Sequence, residues 1–266
     1  MNDLPDILAR IVAKRRERLA EARVTESGAV SAAPAGAPAL LERDSHPFLA
    51  ALAAKRGNAV IAEVKMGSPR LGSLVGRFDP LQQARDYARG GAAALSVVVE
   101  PDFFFGSYER LAECAAACGL PAIAKDFLVD PLQLLWAKKA GAAAILLIAA
   151  LYTAEELHGW ARLARALGIV PLVELNDRHD VAKLAGAPWE LVGINNRNLR
   201  TFVVEIENSL ELLPLLPAEA LKVAESGIHH PADLRRLRDA GFDAYLIGEA
   251  LITSGDPVAK LSELLA

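Results

Sequence analysis

The chain of 266 residues is 53% hydrophobic and 23% charged, a composition typical of a soluble globular protein with a sizeable core. Its formal net charge of −4 disfavours nucleic-acid binding, which normally uses a basic surface. The longest apolar run, Ala140–Leu151, is too short to cross a bilayer, and the charged stretch Lys14–Glu21 is unlike a signal peptide. We therefore expect a cytoplasmic protein with no nucleic-acid partner and no membrane partner.

The N-terminal part of the chain predicts a helical extension. Apolar residues at helical spacing over Leu4–Ala22 predict an amphipathic helix. The stretch Val24–Ala39, rich in Ala, Ser, Gly and Pro, predicts a loop. A second short helix is predicted over Pro47–Lys55, with Ser45 as its cap.

From Asn58 onward, short apolar runs alternate with helical patterns, which predicts a parallel sheet covered by helices. The predicted strands are Ala59–Lys65, Ala93–Val99, Pro121–Lys125, Ala143–Ala149, Val170–Glu174, Leu191–Asn195, Leu221–Glu225 and Ala244–Gly248. The clearest predicted helices are Leu81–Arg89, Tyr108–Ala117, Pro131–Lys139, Ala154–Leu167 and Pro231–Asp239. We expect residues 1–57 to pack as an extension on one domain formed by residues 58–266.

A repeat sharpens this expectation. Gly91, Gly141 and Gly241 each precede small residues and an apolar strand, and they are spaced 50 and 100 residues apart. These gaps correspond to two and four units of about 25 residues, each a strand followed by a helix. Eight such units predict a (β/α)8 TIM barrel of the α/β class. An open doubly wound sheet is the alternative, disfavoured because no Gly-x-Gly-x-x-Gly motif follows any predicted strand.

Polar residues stand where the predicted strands end, and in a barrel the C-terminal ends of the strands carry the catalytic groups. They are Glu63 and Lys65, Glu100, Lys125 and Asp126, Glu174, Asn195 and Arg197, Glu225 and Ser226, and Gly248 and Glu249. Any one of the charged residues could form a structural salt bridge within the barrel. The whole set predicts an active site, because buried apolar strands rarely end in so many charges.

These residue types point to proton transfer and phosphate binding. Lys65 and Lys125 among several carboxylates are candidate general acids and bases, and such a lysine could instead form a Schiff base with a carbonyl substrate. Gly227 lies just after the seventh predicted strand and Gly248 ends the eighth, where barrels often bind phosphate through backbone N–H groups. Ser68, beside the first strand of the closed ring, could complete this site. We therefore expect a phosphorylated small-molecule substrate.

Six segments together resemble the indole-3-glycerol phosphate synthase family of tryptophan biosynthesis. They are Ile61-Ala-Glu-Val-Lys65, Ser68-Pro69, Phe104-Phe105-Gly106-Ser107, Lys125-Asp126-Phe127, Gly193-Ile-Asn195-Asn-Arg197 and Glu225-Ser-Gly-Ile228. The resemblance covers about residues 45–260 and includes a helical extension before the barrel. It implies a carboxy-lyase that closes the ring of 1-(2-carboxyphenylamino)-1-deoxyribulose 5-phosphate, giving indole-3-glycerol phosphate, CO2 and water without a cofactor or metal.

The resemblance also implies a role for each matching residue. Lys125 matches the main general acid, Glu174 the acid/base of the dehydration, and Lys65 an assisting or anchoring group. Orientation of the lysines and contact with sugar hydroxyls are implied for Glu63, Glu225, Asn195 and Ser226. Phosphate binding is implied for Ser68, Gly227, Gly248 and Glu249. Arg197 would lie near the substrate carboxylate or the sixth-strand loop, and the anthranilate ring would pack on Phe104 and Phe127.

Several positions depart from the family pattern. Arg70-Leu71 replaces the usual Ser-Lys of the loop after the first strand, Ala124 stands where arginine often precedes the catalytic lysine, Val99 replaces a frequent threonine and Asn176 a usual histidine. We expect these changes to affect loop motion and turnover rate more than the type of reaction.

Other interpretations remain open at this point. A relative of phosphoribosyl-anthranilate isomerase or a Schiff-base aldolase would use a similar barrel, and a scaffold protein that has lost catalysis would belong to a different class. Cys114 and Cys118, four residues apart, are expected to be small buried side chains on one helix face. The protein is expected to be a monomer or a homodimer.

Overall fold

The computed structural model describes residues 6–25, 39–69, 72–198 and 201–266. Its strands are β1 (Ala59–Val64), β2 (Gly67–Ser68), β3 (Gly72–Ser73), β4 (Ala94–Val98), β5 (Ala122–Lys125), β6 (Ala144–Ile148), β7 (Val170–Leu175), β8 (Leu191–Asn195), β9 (Leu221–Glu225) and β10 (Ala244–Ile247). Its helices are α1 (Asp6–Thr25), α2 (Pro47–Ala54), α3 (Pro80–Arg89), α4 (Tyr108–Cys118), α5 (Pro131–Lys139), α6 (Ala154–Ala166), α7 (Arg178–Ala182), α8 (Glu207–Leu212), α9 (Pro231–Ala240), α10 (Glu249–Ile252) and α11 (Pro257–Leu265).

Eight parallel strands close into a barrel in the order β1-β10-β9-β8-β7-β6-β5-β4. Closure is direct, because β1 pairs in parallel with both β4 and β10. The predicted (β/α)8 barrel is therefore confirmed, and the open sheet is wrong. Each predicted barrel strand matches the observed one to within one residue at either end. The hairpin of β2 and β3, after β1, was not predicted.

The barrel strands are buried on both faces, and successive residues alternate between two cores. In β1, Ala59 and Ile61 point into the barrel, whereas Val60, Ala62 and Val64 pack under the surrounding helices. The inward set of the other strands follows the same alternation. A polar residue two positions beyond the last inward apolar residue therefore points into the barrel at its C-terminal mouth.

The N-terminal extension covers both ends of the barrel. At the mouth, Leu8 of α1 lines the central cavity. At the opposite end, Phe48, Leu49 and Leu52 of α2 are buried against inward strand residues such as Ile61. Burying three large side chains closes the bottom of the barrel with apolar contact.

Some details of the predicted extension differ from the structure. Ser45 does not cap α2: the N-cap is His46, which makes no side-chain capping hydrogen bond, and Pro47 instead starts the helix. Helix α1 continues to Thr25, so the predicted loop begins later than Val24. Residues 1–5 of the first predicted helix and residues 26–38 of the predicted loop lie outside the described residues.

The predicted ends of the repeating units are confirmed by backbone geometry. Gly91, Gly141 and Gly241 have φ values of 90°, 77° and 114°, a region that side chains disfavour. Helix α4 carries both cysteines as free thiols: Cys114 is buried, as expected, whereas Cys118 is only half-buried. In the described part of the chain, no helix is long and apolar enough to cross a membrane.

Candidate active site

A lysine surrounded by carboxylates occupies the mouth of the barrel. Nζ of Lys125, at the end of β5, lies 3.2 Å from Oε2 of Glu225, 3.6 Å from Oε2 of Glu63 and 3.9 Å from Oε2 of Glu174. All four residues follow inward-pointing apolar residues of their strands by two positions, which explains why they converge. The sequence predicted each of them at this end of the barrel.

The surrounding charges hold Lys125 in its protonated form. Burial opposes the charge, but attraction by Glu225, Glu63 and Glu174 outweighs burial and raises the pKa of Lys125 above its usual value. The side chain is nevertheless 20% exposed, so a molecule in the cavity can reach it. The site therefore presents a charged proton donor whose position is fixed by three carboxylates.

Glu63 anchors a second lysine in the same cluster. Its Oε1 accepts a hydrogen bond from Nζ of Lys65 at 2.8 Å. Burial raises the pKa of Glu63, but Lys65 and Lys125 outweigh burial and lower it to about 2. Glu63 therefore remains ionised at neutral pH and stays a negatively charged partner of both lysines.

Glu225 occupies the least solvated position in the cluster. Its side chain is fully buried, one oxygen accepts from Lys125, and Oε1 has no hydrogen-bond partner among the described residues. Burial raises the pKa of Glu225 to about 8; Lys125 opposes the shift and Glu174 adds to it. A carboxyl group that titrates near neutral pH can take up or release a proton during a reaction.

The wall of the cavity combines aromatic rings with loop residues from four strand ends. The cavity holds about 200 Å³. The ring centres of Phe104 and Phe127 lie 5.9 Å apart with the ring planes tilted by 34°, and the two rings provide an apolar wall. The other predicted residues that line the cavity are Lys65, Asn195, Arg197, Ser226, Gly227, Gly248 and Glu249.

The loops after β8, β9 and β10 form one side of this cavity. Asn195 accepts the backbone N–H of Arg197 at 2.9 Å, and an Arg197 Nη2 lies 3.4 Å from Glu249. Ser226 and Gly227 both adopt positive φ, 67° and 78°, which turns the chain sharply after β9. Ser68 lies in the β2–β3 hairpin and is not among the described residues that line the cavity.

Several residues at the site carry roles that the sequence did not indicate. Glu100, predicted only as a polar strand end, accepts backbone N–H groups of Asp102, Phe103 and Phe104 and so shapes the loop that holds an aromatic wall residue. Leu8 of α1 and His229 also line the cavity. The backbone N–H of His229 donates to Oδ2 of Asp233, the third residue of α9.

Two of the positions that depart from the family pattern have a described environment near the site. Ala124 is a buried strand residue, and Asn176 donates through Nδ2 to the backbone carbonyl of Arg197 at 3.3 Å. Arg70 and Leu71 lie outside the described residues. Across residues 6–25, 39–69, 72–198 and 201–266, no group of three or more His, Cys, Asp or Glu side chains is arranged to hold a metal ion.

Fold and site together define a TIM-barrel protein with a lysine–carboxylate cluster at the mouth of its barrel. Two solved structures share the fold at low identity. A thiamine phosphate pyrophosphorylase from Pyrococcus furiosus has a TM-score of 0.56 and 13% identity, covering 79% of this chain and 95% of its own. A mutant tryptophan synthase alpha-subunit, also from Pyrococcus furiosus, has a TM-score of 0.59 and 14% identity, covering 79% and 98%.

Closer matches come from sequence. The model of the family described as indole-3-glycerol phosphate synthase matches residues 8–264. Proteins of that name from Burkholderia vietnamiensis and Bordetella pertussis are 43% and 41% identical to this chain over 264 residues, covering 98% of it and 99% of each relative. The chain therefore belongs to the indole-3-glycerol phosphate synthase family.

Proposed function

We propose that this protein is an indole-3-glycerol phosphate synthase. It would convert 1-(2-carboxyphenylamino)-1-deoxyribulose 5-phosphate into indole-3-glycerol phosphate, CO2 and water. The aromatic carbon that carries the carboxylate attacks the ketose carbonyl, CO2 leaves, and loss of the resulting hydroxyl as water completes the indole ring. Family membership over residues 8–264 supports this assignment.

The observation that carries the proposal is the charged Lys125 amid three carboxylates. As ring closure develops negative charge on the carbonyl oxygen, an ammonium group held in place stabilises that charge and supplies the proton. Contacts of 3.2–3.9 Å to Glu225, Glu63 and Glu174 fix its position without covering it completely. A Schiff-base mechanism would need a neutral amine, which this cluster of carboxylates disfavours.

The dehydration needs an acid that protonates the departing hydroxyl and a base that removes a proton from the neighbouring carbon of the new ring. Glu174 is proposed as the acid/base of the dehydration, and Lys65, 2.8 Å from Glu63, as its assistant or as an anchor for the substrate. Glu225 lies next to both Lys125 and Glu174, where a pKa raised to about 8 lets it relay a proton. Asn195 and Ser226 are proposed to contact the sugar hydroxyls.

The remaining lining residues are proposed to bind the two ends of the substrate. Phe104 and Phe127 provide a wall for the anthranilate ring, and Arg197 provides a positive charge for its carboxylate. At the other end, phosphate is proposed to bind at Gly227, Gly248 and Glu249, with Ser68 approaching from the β2–β3 hairpin. We further propose a cytoplasmic enzyme that needs no cofactor, acts as a monomer or homodimer, and combines residues 1–57 and 58–266 in one domain.

The activity is tested by product analysis. Purified protein is incubated with the carboxyphenylamino-deoxyribulose phosphate, and indole fluorescence and released CO2 are measured together. We expect one CO2 for each indole-3-glycerol phosphate formed. A folded protein that forms no indole product would refute the proposal. Borohydride treatment in the presence of substrate distinguishes the aldolase alternative, since an imine on Lys125 would be trapped as a stable adduct.

A further inference from the structure

A buried ion pair joins α1 to the loop that follows Lys125. Nε of Arg15 donates to Oδ1 of Asp126 at 3.1 Å, and Nη2 donates to Oδ2 at 2.5 Å. The two side chains are 4% and 0% exposed. Other ion pairs of α1 lie at the surface; the arginine of the pair Arg18–Asp102 is 48% exposed. Burial of a bidentate pair by a helix outside the barrel marks Arg15 as different from its neighbours.

Asp126 accepts further hydrogen bonds besides those from Arg15. Its Oδ2 also accepts the hydroxyl of Tyr108 at 2.7 Å and Nε2 of Gln133 at 2.8 Å, and its Oδ1 accepts the backbone N–H of Phe127 at 2.9 Å. Both oxygens are therefore engaged within the protein. Although Asp126 lines the cavity and directly follows Lys125, its contacts serve the loop.

Gln133 extends the network along this loop. Its Oε1 accepts the backbone N–H groups of Val129 and Asp130 at 2.8 and 3.0 Å, and its Nε2 also donates to the carbonyl of Phe127 at 2.9 Å. Asp126 and Gln133 together fix the backbone from residue 126 to residue 130. That segment starts beside Lys125 and includes the aromatic wall residue Phe127.

The position of Arg15 follows from the way α1 packs. Leu8 and Arg15, seven residues apart, lie on one buried face of the helix, and Leu8 lines the cavity. The guanidinium of Arg15 also lies 5.6 Å from the ring centre of Trp136, which in turn packs edge-on against Tyr108. Docking of α1 is thereby connected to α4, α5 and the end of β5.

We propose that Arg15 is a positioning residue for the proposed ring-closing reaction: by pairing with Asp126 it holds residues 126–130, and through them Lys125 and Phe127, in the reactive arrangement. The proposal rests on the proposed function. Without the guanidinium of Arg15, the carboxylate of Asp126 would remain buried without a counter-charge. Because a buried unpaired charge is unfavourable, Asp126 would shift towards solvent and displace residues 126–130.

The test compares Arg15→Met with Lys14→Met, a neighbouring change on the same helix. Lys14 is half exposed and pairs with Glu17 one turn along α1. For each variant, kcat, KM and amide hydrogen exchange of residues 127–130 are measured at a temperature where it is folded. For Arg15→Met we expect kcat to fall at least ~10-fold, because displacements of about 1 Å cost up to ~10²-fold. Exchange at residues 127–130 should become at least ~10-fold faster, and Lys14→Met should match wild type.

A double variant separates positioning from general destabilisation. Adding Asp126→Asn to Arg15→Met removes the unpaired charge, and we expect kcat to recover at least ~3-fold over Arg15→Met alone. A kcat for Arg15→Met within twofold of Lys14→Met, unchanged exchange at residues 127–130, or no recovery in the double variant would each overturn the proposal. A wild-type protein that makes no product would instead refute the proposed function, while exchange would still decide whether Arg15 holds the loop.

Discussion

At the scale of single residues, two glycines make room for the carboxylates that surround Lys125. A Cβ atom at Gly193 of β8 would overlap Oε1 of Glu225, and one at Gly248 would overlap Oε1 of Glu63. Both positions therefore face the carboxylates at the mouth of the barrel. The absence of a side chain at these positions is thus part of the active-site design.

Replacing Gly193 by alanine should impair catalysis while preserving the fold. The new methyl group would push Glu225 away from Lys125, and because φ at Gly193 is not positive, alanine is compatible with its backbone. We expect kcat to fall at least ~10-fold. Gly159→Ala on α6 is the control, since a Cβ there meets a flexible arginine end at 4.0 Å. Equal kcat values for the two variants would show that Glu225 does not need this space.

The charged residues of the site could be predicted from the sequence, whereas the residues that position them could not. Lys125, Glu174 and Glu225 were predicted because a charge at the end of an apolar strand is conspicuous. Gly193 was recognised only as part of a family motif, because its contribution is space that becomes visible once Glu225 is placed. Arg15 could not be paired with Asp126 from the sequence, since 111 residues separate them.

At the scale of elements, α2 acts as the floor of the barrel. Phe48 and Leu52 are fully buried against inward residues of β1 and its neighbours, at the end opposite the active site. This placement separates stability from chemistry, because α2 contributes apolar burial and lies far from Lys125. The mouth of the barrel can therefore hold charges while its floor supplies core packing.

Truncation of the floor should reduce stability and leave catalysis intact. For Phe48→Ala we expect the free energy of unfolding to fall by about 3–5 kcal/mol, as for other large-to-small changes in a core. The kcat of the folded protein should remain within about twofold of wild type. Urea unfolding measures the first quantity, with Leu40→Ala, at a residue 42% exposed, as the control. A loss of less than 1 kcal/mol would mean that α2 does not close the core.

The barrel strands were predictable because eight apolar runs with regular spacing allow few other folds. Short helices were harder to predict: α7 and α8 contain five and six residues, too few for a helical period to emerge. The cap of α2 was misassigned to Ser45 because a favourable residue type lies one position before the true N-cap, His46. Terminal details of this kind depend on tertiary packing.

At the scale of the whole molecule, the active site costs stability. Burial raises the pKa of Glu225 from 4.5 to about 8, so the folded state binds more protons than the unfolded state between these values. The contribution of Glu225 to stability therefore falls as pH rises through this window. The lowered pKa of Glu63 changes stability only below pH 4.5, and the raised pKa of Lys125 changes it only above pH 10.5. Both ranges lie outside the window of Glu225.

Replacing the titrating carboxyl group of Glu225 by an amide should remove this pH-dependent loss of stability. We expect Glu225→Gln to gain stability relative to wild type as pH rises from 5 to 8, by on the order of 1–3 kcal/mol given 1.36 kcal/mol per unit of pKa shift. Urea unfolding of both proteins at pH 5 and pH 8 provides the comparison, in which effects common to both cancel. A stability difference that does not change with pH would contradict the raised pKa of Glu225.

The most direct test of the central claim, that Lys125 is the proton donor of an indole-3-glycerol phosphate synthase, is turnover of the carboxyphenylamino-deoxyribulose phosphate by Lys125→Ala. Lys139→Ala, at an exposed position on α5, is the matched control. We predict that kcat falls at least ~10²-fold for Lys125→Ala, as for loss of a general acid, and stays near wild type for Lys139→Ala. Indole product formed by folded Lys125→Ala at a rate close to that of wild type would contradict the account.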